Sequence, residues 1–503
     1  MQRLRLPHVP VVDVLAGASV ALVVIPQALA YAELAGLPPL HGLAAAAVAP
    51  LAAAAFASSP VLQTGPTAMS AVLVFAVLSP FLPAGTAAYA AAAALLALMV
   101  GAIRIALGAW HAGGVAYAMS GPVLRGFTLG AALLIAASQV PTALGTTVGG
   151  DRLLLRAATA LADPSGWHAG AVAATAVSFL ALRLGRRFGP RIPTVLLVIV
   201  AATLATRLAP GWLGPVVGRF PGGWPTLEVG LPWSLMPSLA VGALVIALVG
   251  FAEPAAIARR FARPGERWDP SRELIAQGLA NVATGLTAGM PVGASFSRSA
   301  LHHALGAVTR AGAVVTGLTV LAFMPLAGLL ADLPRAVLAA VVLSAITDLL
   351  RIGPVADLWR FGRTQTTLAW GTVALMVIME PRIDVAVVVG IVASLFIHLT
   401  REGRVRITTE VEGERGRVRV EGVLWFATAA HLEDEVRAAW HRNRRVELWT
   451  VDLTRVGLVD VDAALALGRL RAEAAEVGVT LEVRGGDART ERRLSRYAER
   501  PLR

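Results

Sequence analysis

The sequence predicts an α-helical membrane protein of fourteen spans, arranged as a seven-plus-seven inverted repeat, with a small cytoplasmic α/β domain after it. Three observations carry that expectation. Hydrophobic residues make up 56% of the 503, and mean hydropathy is +0.67, far above a soluble chain of this size. Charge is segregated: 18 of the 32 acidic residues fall in 402–503 beside 19 arginines, so most of the net +12 belongs to the apolar part. Two Gly/Pro breaks, finally, recur at matching places in the two halves of the apolar part.

A spanning helix needs about 20 apolar residues. Candidate spans run 12–31, 40–57, 67–80, 86–106, 121–140, 168–184 and 193–208, then 236–257, 273–288, 294–306, 311–330, 335–350, 366–380 and 382–400. The segments 67–80 and 294–306 are too short to cross alone. Arginine placement supports the count, because cytoplasmic loops collect basic residues. With the N-terminus inside, the loops after even-numbered spans hold Arg183, Arg186, Arg187 and Arg191, then Arg259, Arg260, Arg263 and Arg267, then Arg351, Arg360 and Arg363, and finally Arg401, Arg404 and Arg406. The opposite loop 209–235 has one arginine and three tryptophans, as an interface-hugging external loop should. The start "MQRLRLPHVPVVDVLAG" reads as an uncleaved cytoplasmic end. The expectation is a multi-pass protein of the cell inner (plasma) membrane with both termini cytoplasmic. In that setting the basic excess points to topology, not to nucleic acid. The lack of lysine reflects genome composition, and the lack of cysteine excludes disulfides and thiolate chemistry.

Pro66, in "TGPTAMSAV", falls 54 residues after Val12; Pro291, in "GMPVGASFSRSA", falls 55 after Met236. An odd number of spans per half makes the repeats inverted, and matched broken segments point to a transporter's binding site. A half-helix that starts at mid-membrane leaves its first N–H groups unpaired, with the positive end of its dipole beside them. Two such ends facing each other suit an anion. Ser295 and Ser297 add hydroxyl donors and Arg298 a full charge, whereas Gly65, Thr67 and Ala68 offer mainly backbone donors. In span one, Gln27 and Tyr31 are four apart on one face beside Pro26. The candidate substrate-binding set is thus Gln27, Tyr31, Gly65, Thr67, Ala68, Ser295, Phe296, Ser297 and Arg298. Competing readings are ordinary helix packing for Gln27 and Tyr31, and an ion pair or a snorkelling side chain for Arg298.

Acidic residues are scarce in the apolar part. Glu33 ends span one and Glu253 ends span eight, its repeat partner; a protonatable carboxyl near an anion site would couple substrate to H⁺. Sodium wants several hard oxygen ligands, and Ala256 and Ile257, one turn on from Glu253, offer none. The alternative for Glu253 is pairing with Arg259 or Arg260. Asp348 and Glu380, at span ends, are expected in solvent; His302 and His303 receive no role.

Beyond residue 401 the pattern changes. "GRVRVEGVLWFA", "RRVELWTVDLT" and "VTLEVRG" read as strands, and "VDAALALGRLRAEAAEVG" as a helix ending at Gly478. The domain expectation is 1–401 for the membrane part and 402–503 for the α/β part.

"IPQALAYAELAGLPPLHGL", "GPTAMSAVL", "RELIAQGLANVATGLTAGMPVGASFSRSAL" and "AVLAAVVLSAI" resemble the sulfate permease family of anion transporters, to which prestin belongs. The resemblance covers nearly the whole chain. It implies a core domain of spans 1–4 and 8–11, a gate domain of spans 5–7 and 12–14, and an anion held between the half-helices of spans three and ten, with span one alongside. Gln27 and Tyr31 match the family's span-one contacts, and Ser297 and Arg298 its serine–arginine pair. Implied substrates are sulfate, bicarbonate, chloride and dicarboxylates such as fumarate or succinate, moved by elevator-like sliding of core against gate. The tail resembles a STAS domain through "VDLTRVGLVDVDAALAL". The run Asp460-Val461-Asp462 lacks the hydroxyl that soluble relatives phosphorylate, which leaves protein contact or dimer packing, and a homodimer, as the expectation.

The leading reading is therefore a secondary active, proton-coupled anion transporter without cofactor or metal, its partners a small anion, the proton and the bilayer. A nucleobase permease of the same architecture would favour a carboxylate at the break, and a membrane-anchored STAS regulator would keep its function in the tail. No Gly-rich, Lys-ending nucleotide loop is present. The scattered histidines and unpartnered serines give no enzyme site.

Overall fold

The computed structural model describes residues 10–114, 120–150, 152–188, 193–218, 222–262, 267–360, 362–402, 405–424, 426–443 and 445–485. Arg191, Arg219, Arg263 and Arg404, and the side chain of Arg401, lie outside them. The chain divides into two compact units, Met1–Ile391 and Val392–Arg503.

Each of the fourteen expected segments is a helix. The first half holds α1 (Val11–Leu34), α2 (Pro39–Phe56), α3 (Ala68–Leu78), α4 (Ala87–Ala109), α5 (Gly121–Leu144), α6 (Leu153–Ala162), α7 (Ala169–Gly185) and α8 (Thr194–Leu208). The second holds α9 (Met236–Arg260), α10 (Pro270–Leu286), α11 (Phe296–Ala304), α12 (Ala311–Phe323), α13 (Arg335–Ile346), the short α14 (Gly353–Ala356), α15 (Arg363–Ile378) and α16 (Ile383–Glu402). Among the described residues, seven helical stretches are long and apolar enough to cross a membrane by length and composition. The half-length α3 and α11 are among the rest, as their sequence breaks require.

Local chemistry sets the ends. Thr86 starts α4 by accepting from the Tyr89 N–H at 3.2 Å, a side-chain N-cap. Asp13, fully buried, accepts from the Val308 N–H at 2.7 Å and the Thr309 N–H at 3.1 Å, tying the start of α1 to the turn after α11. α4 and α10 meet at backbone contact: a Cβ on Gly101 would stand 2.8 Å from the Gly278 carbonyl oxygen, and one on Gly278 2.9 Å from that of Gly101. In a bilayer the hydrophobic effect does not drive helices together, and such close approach of small residues supplies the packing. It also brings polar side chains of α4 and α10 to the breaks.

Two expectations need correction. α6 was not foreseen, since at ten residues it is too short for a span; its Leu153, Ala157 and Ala160 form a buried stripe. Glu380 is 4% exposed, not solvated. Its carboxylate accepts from the Leu153 and Leu154 N–H groups at the start of α6, so an acid at one helix end caps another helix.

The second unit carries a four-stranded sheet of β3 (Arg406–Glu412), β4 (Arg415–Leu424), β5 (Leu448–Val459) and β6 (Thr480–Arg484), in that order; β1 and β2 belong to the breaks described below. β3 and β4 pair antiparallel, β4–β5 and β5–β6 parallel. The parallel pairs are joined through α17 (Phe426–Arg442) and α18 (Val461–Glu476). Sequence reading ran the first strand through to 427. The strand stops at Leu424 because burial then switches to helical spacing at Leu432, Val436 and Ala439. β3 was missed because it is a mostly exposed edge strand without an apolar alternation. Asp460 caps α18, accepting from the Ala463 N–H at 2.9 Å, and Gly478 takes the left-handed conformation (φ 76°) just past its end.

Candidate functional site

The two sequence breaks meet. Thr64–Gly65 forms β1 and Gly293–Ala294 forms β2, paired antiparallel with Thr64 opposite Ala294 and Gly65 opposite Gly293. Each two-residue strand runs into a half-helix within three residues, so α3 and α11 both begin at this miniature sheet. Irregular backbone at membrane depth has to be satisfied by protein groups, and here the two breaks satisfy each other. The Ser295 N–H donates to the Gln63 carbonyl at 3.1 Å, and the Gln63 N–H donates to Ser299 Oγ at 3.0 Å.

The two N-termini are finished differently. On α3, Thr67 is the N-cap, and its hydroxyl oxygen accepts from the Ser70 N–H at 3.1 Å. On α11, Ser295 occupies the cap position without a side-chain cap bond; its Oγ stands 3.2 Å from Ser297 Oγ. Arg298 follows in the first turn and is 1% exposed. Its Nη1 donates to Gln27 Oε1 of α1 at 3.4 Å. Its Nη2 is buried and finds no acceptor among the described residues. That nitrogen lies against Gly65, where a Cβ would come within 3.3 Å of it. A buried guanidinium with an unused donor, set beside two helix N-termini, is equipped to hold a planar or tetrahedral oxyanion.

Of the sequence-picked residues, Gln27, Gly65 and Arg298 are in direct register. Tyr31, buried, is within electrostatic reach of Arg298 and Glu253. The Glu253 carboxylate lies within electrostatic reach of the Phe296 N–H, the first residue of α11, and of Arg298. Thr67 and Ala68 are buried in the α3 start; Phe296 and Ser297 are exposed at the α11 start. Glu33 stands apart, 3.6 Å from Arg335 at the start of α13. A cavity of 480 Å³ opens onto Gln27 and Ser297 and runs toward Arg186, between α1 and α11 on one wall and α7, α8 and α13 on the other. Sequence reading missed the buried polar row Glu273, Gln277, Asn281 and Thr284 along α10 and the buried Arg104 of α4. Polar residues recurring every turn inside an apolar span were the available signal.

The profile of the sulfate permease family matches residues 11–372, which includes both breaks and every residue of this site. The chain belongs to the sulfate permease family. A STAS-domain profile, described as "Mlab, STAS domain", matches 407–498. A probable sulfate transporter of Mycobacterium tuberculosis is 38% identical over 372 residues, 72% of this chain and 66% of that protein. Human solute carrier family 26 member 6 is 30% identical over 419 residues, 77% of this chain and 55% of that protein. The match thus covers less than two thirds of the length of either of these curated relatives. Among solved structures, the murine solute carrier 26 family member A9 anion transporter in the inward-facing state superposes with TM-score 0.88 at 21% identity, over 98% of this chain and 88% of that one. The transmembrane domain of a cyanobacterial bicarbonate transporter gives 0.62 at 21% identity, over 76% and 97%. At such identities the structural matches speak for the fold. This sulfate permease family member is accordingly a multi-pass membrane protein of an anion-transporter family, with a C-terminal STAS domain.

Proposed function

We propose that the chain is a secondary active transporter of a small anion — sulfate, bicarbonate or a dicarboxylate such as fumarate or succinate — driven by co-transported H⁺. The observation that carries this reading is the buried Arg298, its Nη2 unused beside Gly65 where the two half-helices begin. In this reading the substrate contacts come from Gln27, Tyr31, Gly65, Thr67, Ala68, Ser295, Phe296, Ser297 and Arg298. The chain is a homodimer in the cell inner membrane, with both termini cytoplasmic, and its domains are 1–401 and 402–503. The membrane part is an inverted repeat in which α1–α4 with α9–α12 form a core that slides, elevator-like, against a gate of α5–α8 with α13–α16. The 480 Å³ cavity lies along that division and is roomy enough for any of the named anions.

Glu253 supports proton coupling. As a carboxylate it is an internal anion at the α11 N-terminus, in the field of the Phe296 N–H and of Arg298. A second negative charge there meets like-charge repulsion until Glu253 takes up a proton. Anion and proton then bind together, which is the requirement for symport. Glu33, paired with Arg335, is the weaker candidate.

The test is uptake of sulfate, bicarbonate and fumarate by purified protein in liposomes, with and without an inward-directed proton gradient. The gradient should accelerate uptake of at least one of them, and Glu253→Gln should abolish that acceleration while uptake itself persists. Absence of uptake for all three sinks the proposal; gradient-independent uptake removes only the proton.

A further inference from the structure

Val292, the residue before β2, is gripped from two helices at once. Its carbonyl accepts from Arg104 Nη1 of α4 at 3.0 Å and from Asn281 Nδ2 of α10 at 3.1 Å. Its N–H donates to Asn281 Oδ1 at 3.0 Å. The Asn281 amide therefore answers both main-chain groups of Val292, as a neighbouring strand would. Arg104 is fully buried, and its remaining contacts are also main-chain carbonyls: Nε to Ala247 at 3.1 Å and Nη2 to Ile246 at 3.0 Å, both on α9. Gly250 makes room for it, since a Cβ there would stand 2.6 Å from Nη2.

One turn earlier on the same face of α10, Gln277 Nε2 donates to Thr64 Oγ1 of β1 at 2.8 Å. α10 therefore holds both broken segments, β1 through Gln277 and β2 through Asn281, while Arg104 ties β2 to α9, the helix that carries Glu253. Three of these contacts use the fork of a guanidinium, which a lysine ammonium cannot reproduce from one position.

We propose that Arg104 and Asn281 are positioning residues that fix where α11 begins relative to α3, and so set the span between the two N-termini and which anions fit it. The proposal rests on reading the breaks as an anion site, yet it has a readout that needs no anion. Val292 and the α11 start are free to shift only if this grip opens, so backbone exchange reports it directly.

The experiment uses the full-length chain, wild type, Asn281→Ala and Arg104→Lys, reconstituted in lipid. Hydrogen–deuterium exchange without added anion should show the Val292 amide protected in the wild type, and exchange across 290–298 about ten-fold faster in either variant. Uptake should show the ratio of half-saturating concentrations for sulfate and fumarate moving toward one by about five-fold, with maximal rate largely kept. A purely structural role predicts less folded protein and a lower maximal rate at an unchanged ratio, and that result overturns the proposal. Should Asn281→Ala fail to fold, Arg104→Lys, which keeps charge and stem, decides. An unprotected Val292 amide in the wild type overturns the grip outright. If the wild type takes up neither anion, the functional reading fails by itself, and the exchange data still decide the grip: unchanged exchange in the variants refutes it, faster exchange sustains it.

Discussion

The two half-helices start from the same miniature sheet and end up chemically unlike. α3 is apolar apart from Ser70 and closes its own N-terminus with Thr67, whose hydroxyl takes the Ser70 N–H. α11 leaves its cap position without a side-chain capping bond, exposes Phe296 and Ser297, and buries Arg298 in its first turn. In the proposed inverted repeat the two backbones are alike and the side chains divide the work: one end is a sealed wall, the other an open, charged seat. Backbone symmetry alone would make a site with equal ends. On the proposed reading, the break places the site and the first turn after it decides which end reads charge.

The strongest way to break this comparison is to remove the charge from the open end. Arg298→Gln keeps an N–H donor on a shorter side chain and loses the buried, hydrogen-bonded cation; losses of this kind typically cost about 2–5 kcal/mol, so uptake efficiency should fall by about 30-fold or more. Efficiency measured as initial rate over anion concentration in liposomes checks it. A fall of less than about 5-fold, where 1.4 kcal/mol is ten-fold, would assign charge reading elsewhere. A smaller effect comes from pressing on Arg298 from the sealed side. Gly65→Ala puts a Cβ 3.3 Å from Nη2, so the guanidinium yields by a few tenths of an ångström. Misplacing a charge-assisted donor this way should raise the half-saturating concentration by about 10-fold, with maximal rate little changed. A wild-type value in Gly65→Ala would mean that the anion is not held between Gly65 and Arg298.

How much of this was legible beforehand follows from which signals are local. Span positions were readable because hydropathy and the Gly/Pro breaks are properties of short windows; the breaks at Pro66 and Pro291 led straight to the strand pair Thr64–Gly65 and Gly293–Ala294. Gln27 and Arg298 were picked out because an amide and a cation stand out in apolar runs, and the fold bonds them across 271 residues of sequence. What stayed hidden is what only the fold brings together. Asn281 reads as an ordinary polar residue until Val292 is placed beside it, and Arg104 reads as a helix-end charge until α9 supplies its carbonyls. Glu380 went astray for the same reason, since nothing near it in sequence announces the start of α6. In the STAS unit, β3 was invisible because an edge strand with one solvated face need not alternate.

The finest test compares the two cap positions directly, because the two ends predict opposite outcomes from one kind of deletion. Thr67→Ala removes the acceptor that holds the Ser70 N–H but keeps the backbone N–H that Thr67 offers the anion, so it should lower stability by about 1 kcal/mol and leave the half-saturating concentration near the wild-type value. Ser295→Ala removes no cap bond, only a hydroxyl 3.2 Å from Ser297 Oγ at the open end. It should leave the unfolding temperature unchanged and weaken anion binding by about ten-fold, the low end for a hydrogen bond to a charged group. Thermal unfolding and uptake on the same two preparations separate the cases. If both substitutions act on stability alone, the open end is merely an unsealed helix. If both act on binding alone, α3 takes part in reading the anion as fully as α11, and the division of labour between the half-helices is wrong.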